Sequence, residues 1–272
     1  MKKDKVKVYF FEILFMFFLF FAIFASNIFN RVVISIVFLI YMILMCLLFQ
    51  NKKINSIYNK QIIIWMTIFA FLYIGIFYLM GLYFGFRYSK VLFSIKTLFK
   101  YIVPLIIIII SSEVIRKKNI QINLSIIITY SIMILVDLII YNGIYSLAKL
   151  DDFLIALGFV LFASISCNLL YNYISIRYGE KSIIIYKLIT ILYVYIIPIV
   201  PDVYIFLQSF LRMLYPYLIY ILLEKNYSSY DFTISHNEKK NEIIKNTILV
   251  VTMSIFIMLI SCQFNYGILV VG

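Results

Sequence analysis

Five polar side chains in or beside apolar runs have the types and spacing that could support chemistry: Asp137, Asn168, Asn172, Asp202 and Arg212. A charged or strongly hydrogen-bonding group is costly inside a membrane, so each is a candidate for function. Asp137 is the deepest of them, within Ile-Leu-Val-Asp-Leu-Ile-Ile. Asn168 and Asn172 are four residues apart and share one helix face, which makes them candidate hydrogen-bond partners of Asp137.

The spacing of the charged residues indicates which ion pairs can form. Arg212 follows Asp202 of the Pro201-Asp202 turn by ten residues, roughly 15 Å along a helix. We therefore expect Asp137 to be the better partner of Arg212. Glu113 precedes Arg116 by three residues, so both fit one helix face, and we interpret this pair as a capped helix end.

Histidine and cysteine limit the possible chemistry. His236 is the single histidine, which excludes a three-histidine or His-Glu-x-x-His metal site. Three cysteines lie far apart in or beside apolar runs and are interpreted as small helix residues: Cys46, Cys167 and Cys262. The sequence predicts no metal and no cofactor, and it contains no glycine-rich phosphate loop.

Two types of intramembrane protease can be tested against the acidic residues. Aspartyl types use two facing aspartates in Tyr-Asp and Gly-x-Gly-Asp settings, whereas Asp137 follows Val136 and Asp202 follows Pro201. Glutamate types use Glu-Glu-x-x-x-Arg, whereas here a single Glu113 precedes the arginine by three residues. Neither type fits this sequence.

The composition is that of a membrane protein. Of 272 residues, 65% are apolar and 13% are charged, whereas soluble domains average about 45–50% and about 25%. This excludes a soluble enzyme, a disordered chain and a disulfide-stapled secreted domain. The net charge of +12 does not indicate nucleic acid here, because cationic loops orient membrane helices.

Apolar runs of about 20 residues, the length that crosses a bilayer, predict an all-α polytopic protein with the lipid bilayer as its partner. The nine predicted spans are 8–26, 32–50, 61–83, 101–115, 120–142, 153–174, 183–200, 203–223 and 243–262. The first follows a basic start and is interpreted as an uncleaved helix, in which Glu12 reaches headgroup water. Pro198 and Pro201 predict a tight hairpin between the seventh and eighth spans.

The distribution of lysine and arginine predicts the orientation. With the N-terminus in the cytoplasm, 17 of the 24 basic residues fall in inside segments and six in outside segments. Cytoplasmic loops carry such an excess, so we expect the C-terminus to lie outside the cytoplasm. His236 then falls in a cytoplasmic loop.

Three stretches resemble a known family. They are Asn-Leu-Leu-Tyr-Asn-Tyr-Ile-Ser-Ile-Arg-Tyr-Gly-Glu-Lys at 168–181, the run from Ile185-Tyr-Lys-Leu to Pro-Ile-Val-Pro-Asp at 185–202, and Tyr-Gly-Ile-Leu-Val-Val-Gly at 266–272. Over residues 165–272 the chain resembles the long clostridial and Bacillota form of signal peptidase I, of the archaeal/endoplasmic-reticulum type. Before residue 165 the likeness is mostly shared hydropathy.

The resemblance implies a serine endopeptidase of the bacterial plasma membrane that removes signal peptides from exported preproteins. In the family, the strand matching 266–272 leads into Ser-Gly-Ser-Met, whose second Ser is the nucleophile and works with a His and acidic support in a β-rich domain. The nucleophile is thus expected just beyond Gly272. Residues 1–262 would be the transmembrane domain and 263–272 the start of a truncated extracytoplasmic peptidase domain. This chain would lack every catalytic residue.

Two other interpretations remain open. One is a stand-alone integral membrane protein of transporter or unknown class, in which Asp137 and Arg212 line a path. An internal repeat and abundant glycine, common in transporters with broken helices, are not evident in the sequence. The other is a scaffold subunit that binds another membrane protein.

Overall fold

Long apolar helices make up most of the computed structural model, which describes residues 2–24, 30–48, 58–89, 93–121, 126–141 and 160–227. The helices are α1 (Lys2–Phe24), α2 (Arg31–Leu48), α3 (Asn59–Phe84), α4 (Ile95–Thr97), α5 (Val103–Gln121), α6 (Ile126–Ile140), α7 (Ala163–Arg177), α8 (Lys181–Ile196) and α9 (Ile205–Tyr227). A π-helical turn, Leu98–Ile102, joins α4 to α5. The two strands of the described residues are β1 (Phe86–Tyr88) and β2 (Ile199–Pro201).

The helical character predicted from the apolar runs is confirmed. Four described segments are long and apolar enough to cross a membrane: Arg31–Leu48, Asn59–Phe84, Ile95–Ile120 and Ile205–Tyr227. Helices overlap eight of the nine predicted spans, and the number that cross a bilayer stays a prediction. The predicted ninth span, at 243–262, and the strand expected at 266–272 lie outside the described residues.

The strands and three tyrosines define the two ends of the bundle. β1 follows α3 and pairs antiparallel with β2, which follows α8, so both helices end at what we name the sheet end. At the opposite end, the Tyr227 ring lies 5.4 Å from that of Tyr58 and 6.2 Å from that of Tyr178. We name this the tyrosine end. Arg31, at the start of α2, donates to the Tyr195 hydroxyl near the end of α8, so α2 begins at the sheet end.

The helices pack as two apolar clusters. One joins α3, α7, α8 and α9, where the buried Tyr215 hydroxyl donates to the Phe69 carbonyl at 2.8 Å. The other joins α1, α2, α5 and α6 with part of α8. Large apolar side chains also face outward, among them Phe17 and Leu47, which are 71% and 82% exposed. An apolar exterior of this kind is stable in lipid rather than in water.

The break between α8 and α9 differs in part from the predicted hairpin. α8 ends at Ile196 because the residue before Pro198 disfavours helix. The connection then forms β2, a strand that the sequence did not predict. It is held in place because the Tyr78 hydroxyl donates to the Ile199 carbonyl at 2.6 Å and the Asp202 amide to the Gly85 carbonyl at 3.0 Å.

Two glycines of α3 allow a matched test of how closely the sheet packs against this helix. A Cβ at Gly81 would lie 2.5 Å from the Phe86 ring and 3.0 Å from Pro201, whereas a Cβ at Gly75 would meet nothing within 4 Å. We expect Gly81→Ala to be less stable than Gly75→Ala by about 1–3 kcal/mol, the usual cost of overpacking. Thermal unfolding of both variants in detergent measures the difference. Equal stability would mean that the sheet does not rest on α3.

Candidate functional site

A network of buried polar side chains crosses the bundle between the two apolar clusters. Its members are Glu113 and Arg116 of α5, Asp137 of α6, Ser164, Asn168 and Asn172 of α7, and Lys187 of α8. At its centre, Arg116 Nε donates to Glu113 Oε2 at 2.8 Å, and Lys187 Nζ lies 2.7 Å from Glu113 Oε1. One fully buried carboxylate thus compensates two cations.

The rest of the Arg116 guanidinium is held by α7. Its Nη1 donates to Asn172 Oδ1 and its Nη2 to Asn168 Oδ1, both at 2.6 Å. The Tyr171 ring lies 5.5 Å from the guanidinium and 4.7 Å from Lys187 Nζ, within range of cation–π attraction. The planar fork of Arg116 therefore fixes the rotation of α7 relative to α5.

Asp137 joins α6 to the same network. Its carboxylate accepts from the Ser164 hydroxyl and from Asn168 Nδ2 at 3.5 Å, and it lies 3.8 Å from Lys187 Nζ. The predicted contact of Asn168 with Asp137 is confirmed. Asn172 instead contacts Arg116, although the spacing had placed both asparagines near Asp137.

The network is suited to positioning helices. Glu113 and Asp137 balance Arg116 and Lys187, and this compensation makes burial of the charges tolerable. Removing one charge would leave its partner uncompensated in a medium of low dielectric constant. Among the described residues, no group of three or more His, Cys, Asp or Glu side chains could hold a metal ion.

A cavity of about 240 Å³ adjoins the network. We name it the central cavity; α3, α6, α7, α8 and α9 form its walls. Asp137 and Lys187 of the network line it, as do Arg31 and Arg87 at the sheet end. Arg212 lies in the wall, with its guanidinium carbon 3.7 Å from the centre of the Tyr141 ring.

The ion pair expected between Arg212 and Asp137 is not observed, and Asp202 has a partner that the sequence did not predict. Asp137 and Arg212 line the same cavity, but the ion pair observed for Asp137 is with Lys187. Asp202 forms an ion pair with Arg87 at 3.2 Å, where both side chains are about half exposed. Asp202 therefore helps to close the sheet at the bundle surface, outside the buried network.

Two interpretations of buried charges were wrong. Glu113 and Arg116 do pair, but both are completely buried, so they do not cap an exposed helix end. Glu12 is also completely buried, beside Tyr41 and Asn119, and does not reach headgroup water. Local spacing identified the first pair without showing which helices would cover it.

Lys187 is the member that sequence reasoning missed. It is one of the 17 basic residues that the orientation prediction places in inside segments, yet it is 2% exposed within α8. Its position inside the predicted span 183–200, between Ile183 and Ile191, was the signal that could have identified it. Ser164 was missed as well, although it lies four residues before Asn168 on the same face of α7.

Two glutamates allow a matched test of the network. We expect Glu113→Gln to lower the free energy of unfolding by about 3–5 kcal/mol, because it leaves Arg116 and Lys187 with one carboxylate fewer. Glu180 forms a 2.6 Å ion pair with Lys117 nearer the surface, so Glu180→Gln should cost about 1 kcal/mol or less. Thermal unfolding in detergent compares them, and equal losses would argue against a stabilising role for the buried network.

Comparison of the chain with family models, curated proteins and solved structures finds no match. The resemblance to signal peptidase I stays an expectation from the sequence, based on the three stretches at 168–181, 185–202 and 266–272. The first two form most of α7, α8 and β2, which contribute to the network and to the central cavity.

Proposed function

We propose that this chain is the membrane region of a signal peptidase I-like serine endopeptidase that removes signal peptides from exported proteins. One observation carries the proposal. The stretches 168–181 and 185–202, which carry the resemblance, also supply Asn168, Asn172 and Lys187 of the buried network. Within the two stretches that carry the resemblance, these three residues thus help to fix the helices to one another.

The network gives this region a mechanical role in the proposed enzyme. A peptidase domain that cleaves at the membrane face must be held at a constant height and tilt relative to the bilayer. Buried hydrogen bonds and ion pairs that are fully satisfied rigidify the elements they join. In this proposal the helices anchor and orient the peptidase domain, and the apolar core of a signal peptide docks beside the last predicted helix.

The proposed orientation places the sheet end outside the cytoplasm. α2 begins at the sheet end, so α1 runs towards it from a cytoplasmic N-terminus. Leaving out the buried Arg116, Lys118 and Lys187 reduces the inside count of basic residues from 17 to 14, against six outside. The charge bias that supports this orientation therefore does not depend on the buried cations.

Reporter fusions test the orientation. We expect alkaline phosphatase, which is active only outside the cytoplasm, to be active when fused after Gly272 and inactive when fused after Ser235. Fluorescent protein fusions at the same two positions should give the opposite pattern. Activity of the phosphatase at Ser235 but not at Gly272 would reverse the proposed topology.

The peptidase assignment is tested by the coding sequence beyond Gly272. We expect an in-frame Ser-x-Ser-Met followed by a His and an Asp in a β-rich stretch. The purified product of that frame should cleave a signal-peptide substrate, and replacing the second Ser of the motif by Ala should abolish cleavage without changing the elution profile in detergent. A stop codon directly after Gly272, or cleavage that persists without that Ser, would contradict the proposal.

The central cavity favours a second candidate, a stand-alone transporter. Ionisable residues that line a cavity among membrane helices often mark a transport path, and Asp137, Lys187 and Arg212 do so here. This candidate requires the 272-residue chain alone to move a solute or ion across vesicle membranes, and Asp137→Asn to stop that movement. Measuring the flux of a solute or ion across these vesicle membranes distinguishes this candidate from the peptidase candidate.

A further inference from the structure

Glu12 of α1 is a buried carboxylate without a direct cationic partner among the described residues. Its side chain is completely buried, and neither of its oxygens accepts a hydrogen bond. Each described lysine and arginine nitrogen is therefore out of hydrogen-bond contact with it. A carboxylate in a medium of low dielectric constant is costly unless it is paired or coordinates a metal ion.

Lys118 of α5 is buried as well, but it does not form a contact with Glu12. The described acidic group that lies near Lys118 is Glu180, which forms a 2.6 Å ion pair with the neighbouring Lys117. No hydrogen bond or ion pair joins Lys118 to the Glu12 carboxylate on α1. The two charges are therefore not a pair within this bundle.

Two further polar side chains lie beside the Glu12 carboxylate. They are the Tyr41 hydroxyl of α2 and the Asn119 amide of α5, and neither group has a hydrogen-bond partner. Tyr41 is 8% exposed and Asn119 is completely buried. We name these three residues the Glu12 site. Since buried polar atoms are normally hydrogen-bonded, such a group of exceptions requires an explanation.

The oxygen atoms of the Glu12 site are the ligands that a hard cation prefers. They are the two carboxylate oxygens of Glu12, the amide oxygen of Asn119 and the phenolic oxygen of Tyr41. Soft transition metals prefer thiolate or imidazole ligands, which these three residues do not offer. Because the site contains a single carboxylate, a monovalent cation leaves it neutral and a divalent cation does not.

The Glu12 site lies nearer the tyrosine end than the sheet end. Asn119 is two residues before α5 ends and Tyr41 is seven residues before α2 ends, which is about 3 Å and about 10 Å along the helices. Both helices start at the sheet end, because Arg31 at the start of α2 lies over the ring of Tyr101 just before α5. In the proposed orientation, the site is therefore near the cytoplasmic side.

We propose that the Glu12 site binds a monovalent alkali-metal cation, held by oxygens of Glu12, Tyr41 and Asn119. Sodium and potassium ions both offer this chemistry. The bound ion joins α1 to α2 and α5, as the buried network joins α5 to α6, α7 and α8. The site uses only described residues of the helical bundle, so it is independent of the peptidase proposal. Failure of either proposal leaves the other standing.

Thermal stability in different salts tests the site. The full chain, purified in neutral detergent, is titrated with sodium chloride or with potassium chloride, and choline chloride keeps the ionic strength constant. A ligand that binds the folded state raises the apparent Tm. We expect sodium or potassium to raise the Tm relative to choline, because the quaternary ammonium of choline is too bulky to be coordinated by these oxygens.

Two glutamates form the matched pair of variants. Glu12→Gln removes the charge of the site and should abolish the response to sodium and potassium. Glu180→Gln, which changes the ion pair with Lys117 nearer the surface, should respond like the unchanged protein. Asn119→Ala removes one ligand and should weaken binding about tenfold, comparable to the loss of one hydrogen bond to a charged group.

Each outcome has a defined meaning. A response to one of the two salts identifies that ion as the ligand, and equal responses identify a site that accepts both. No response to either salt, an equal response to choline, or a response that persists in Glu12→Gln overturns the proposal. If Glu12→Gln does not fold, the affinity of Asn119→Ala decides, and an unchanged affinity in that variant overturns the proposal.

Discussion

The fit of the two apolar clusters against each other depends on the carboxylate of Glu113, which Arg116 and Lys187 share. Apolar side chains have little preference for one another over lipid tails, so burial alone does not decide which membrane helices associate. In this protein the two apolar clusters meet at the network that Glu113 centres. Helices α5 and α6 come from one cluster, α7 comes from the other, and α8 contributes to both. A few charge-assisted hydrogen bonds therefore specify how two helical layers fit together.

The buried network also accounts for the position of the central cavity. The hydrogen bonds and ion pairs of the network set the distance between the helices that they join. Because this distance is fixed by polar contacts, apolar side chains do not have to fill the space beside the network. Tyrosines of α3, α7 and α8 surround that space with rings whose hydroxyls tolerate water or a polar ligand. Rigidity at the network and room beside it thus follow from the same constraint.

The sequence was informative wherever the governing interaction is local. Helix periodicity predicted that Asn168 and Asn172 share a face, and spacing predicted the pair of Glu113 with Arg116. The burial of that pair could not be predicted, because it depends on α7 and α8, which lie far along the chain. The burial of Lys187 could not be predicted for the same reason, because its partners are on α5 and α6.

The two-stranded sheet shows most clearly which features could not be predicted from the sequence. Each strand has three residues, too few for an alternating pattern to emerge, and the pairing joins segments more than 100 residues apart. Proline near 198 and 201 correctly predicted the end of α8, since proline restricts its own backbone and that of the preceding residue. Which strand pairs with β2 depends instead on the packing of α3 against α8, because that packing places β1 beside β2.

The pairing of Glu113 with Arg116 on one helix has a consequence for the order of synthesis. Lys187 is translated 71 residues after Arg116, several seconds later at roughly 5–20 residues per second. During that interval α5 already carries its own counter-ion, because the two groups are three residues apart on the same helix. The Glu113–Arg116 pair is therefore neutral before the later helices are made, and α7 and Lys187 complete the network afterwards.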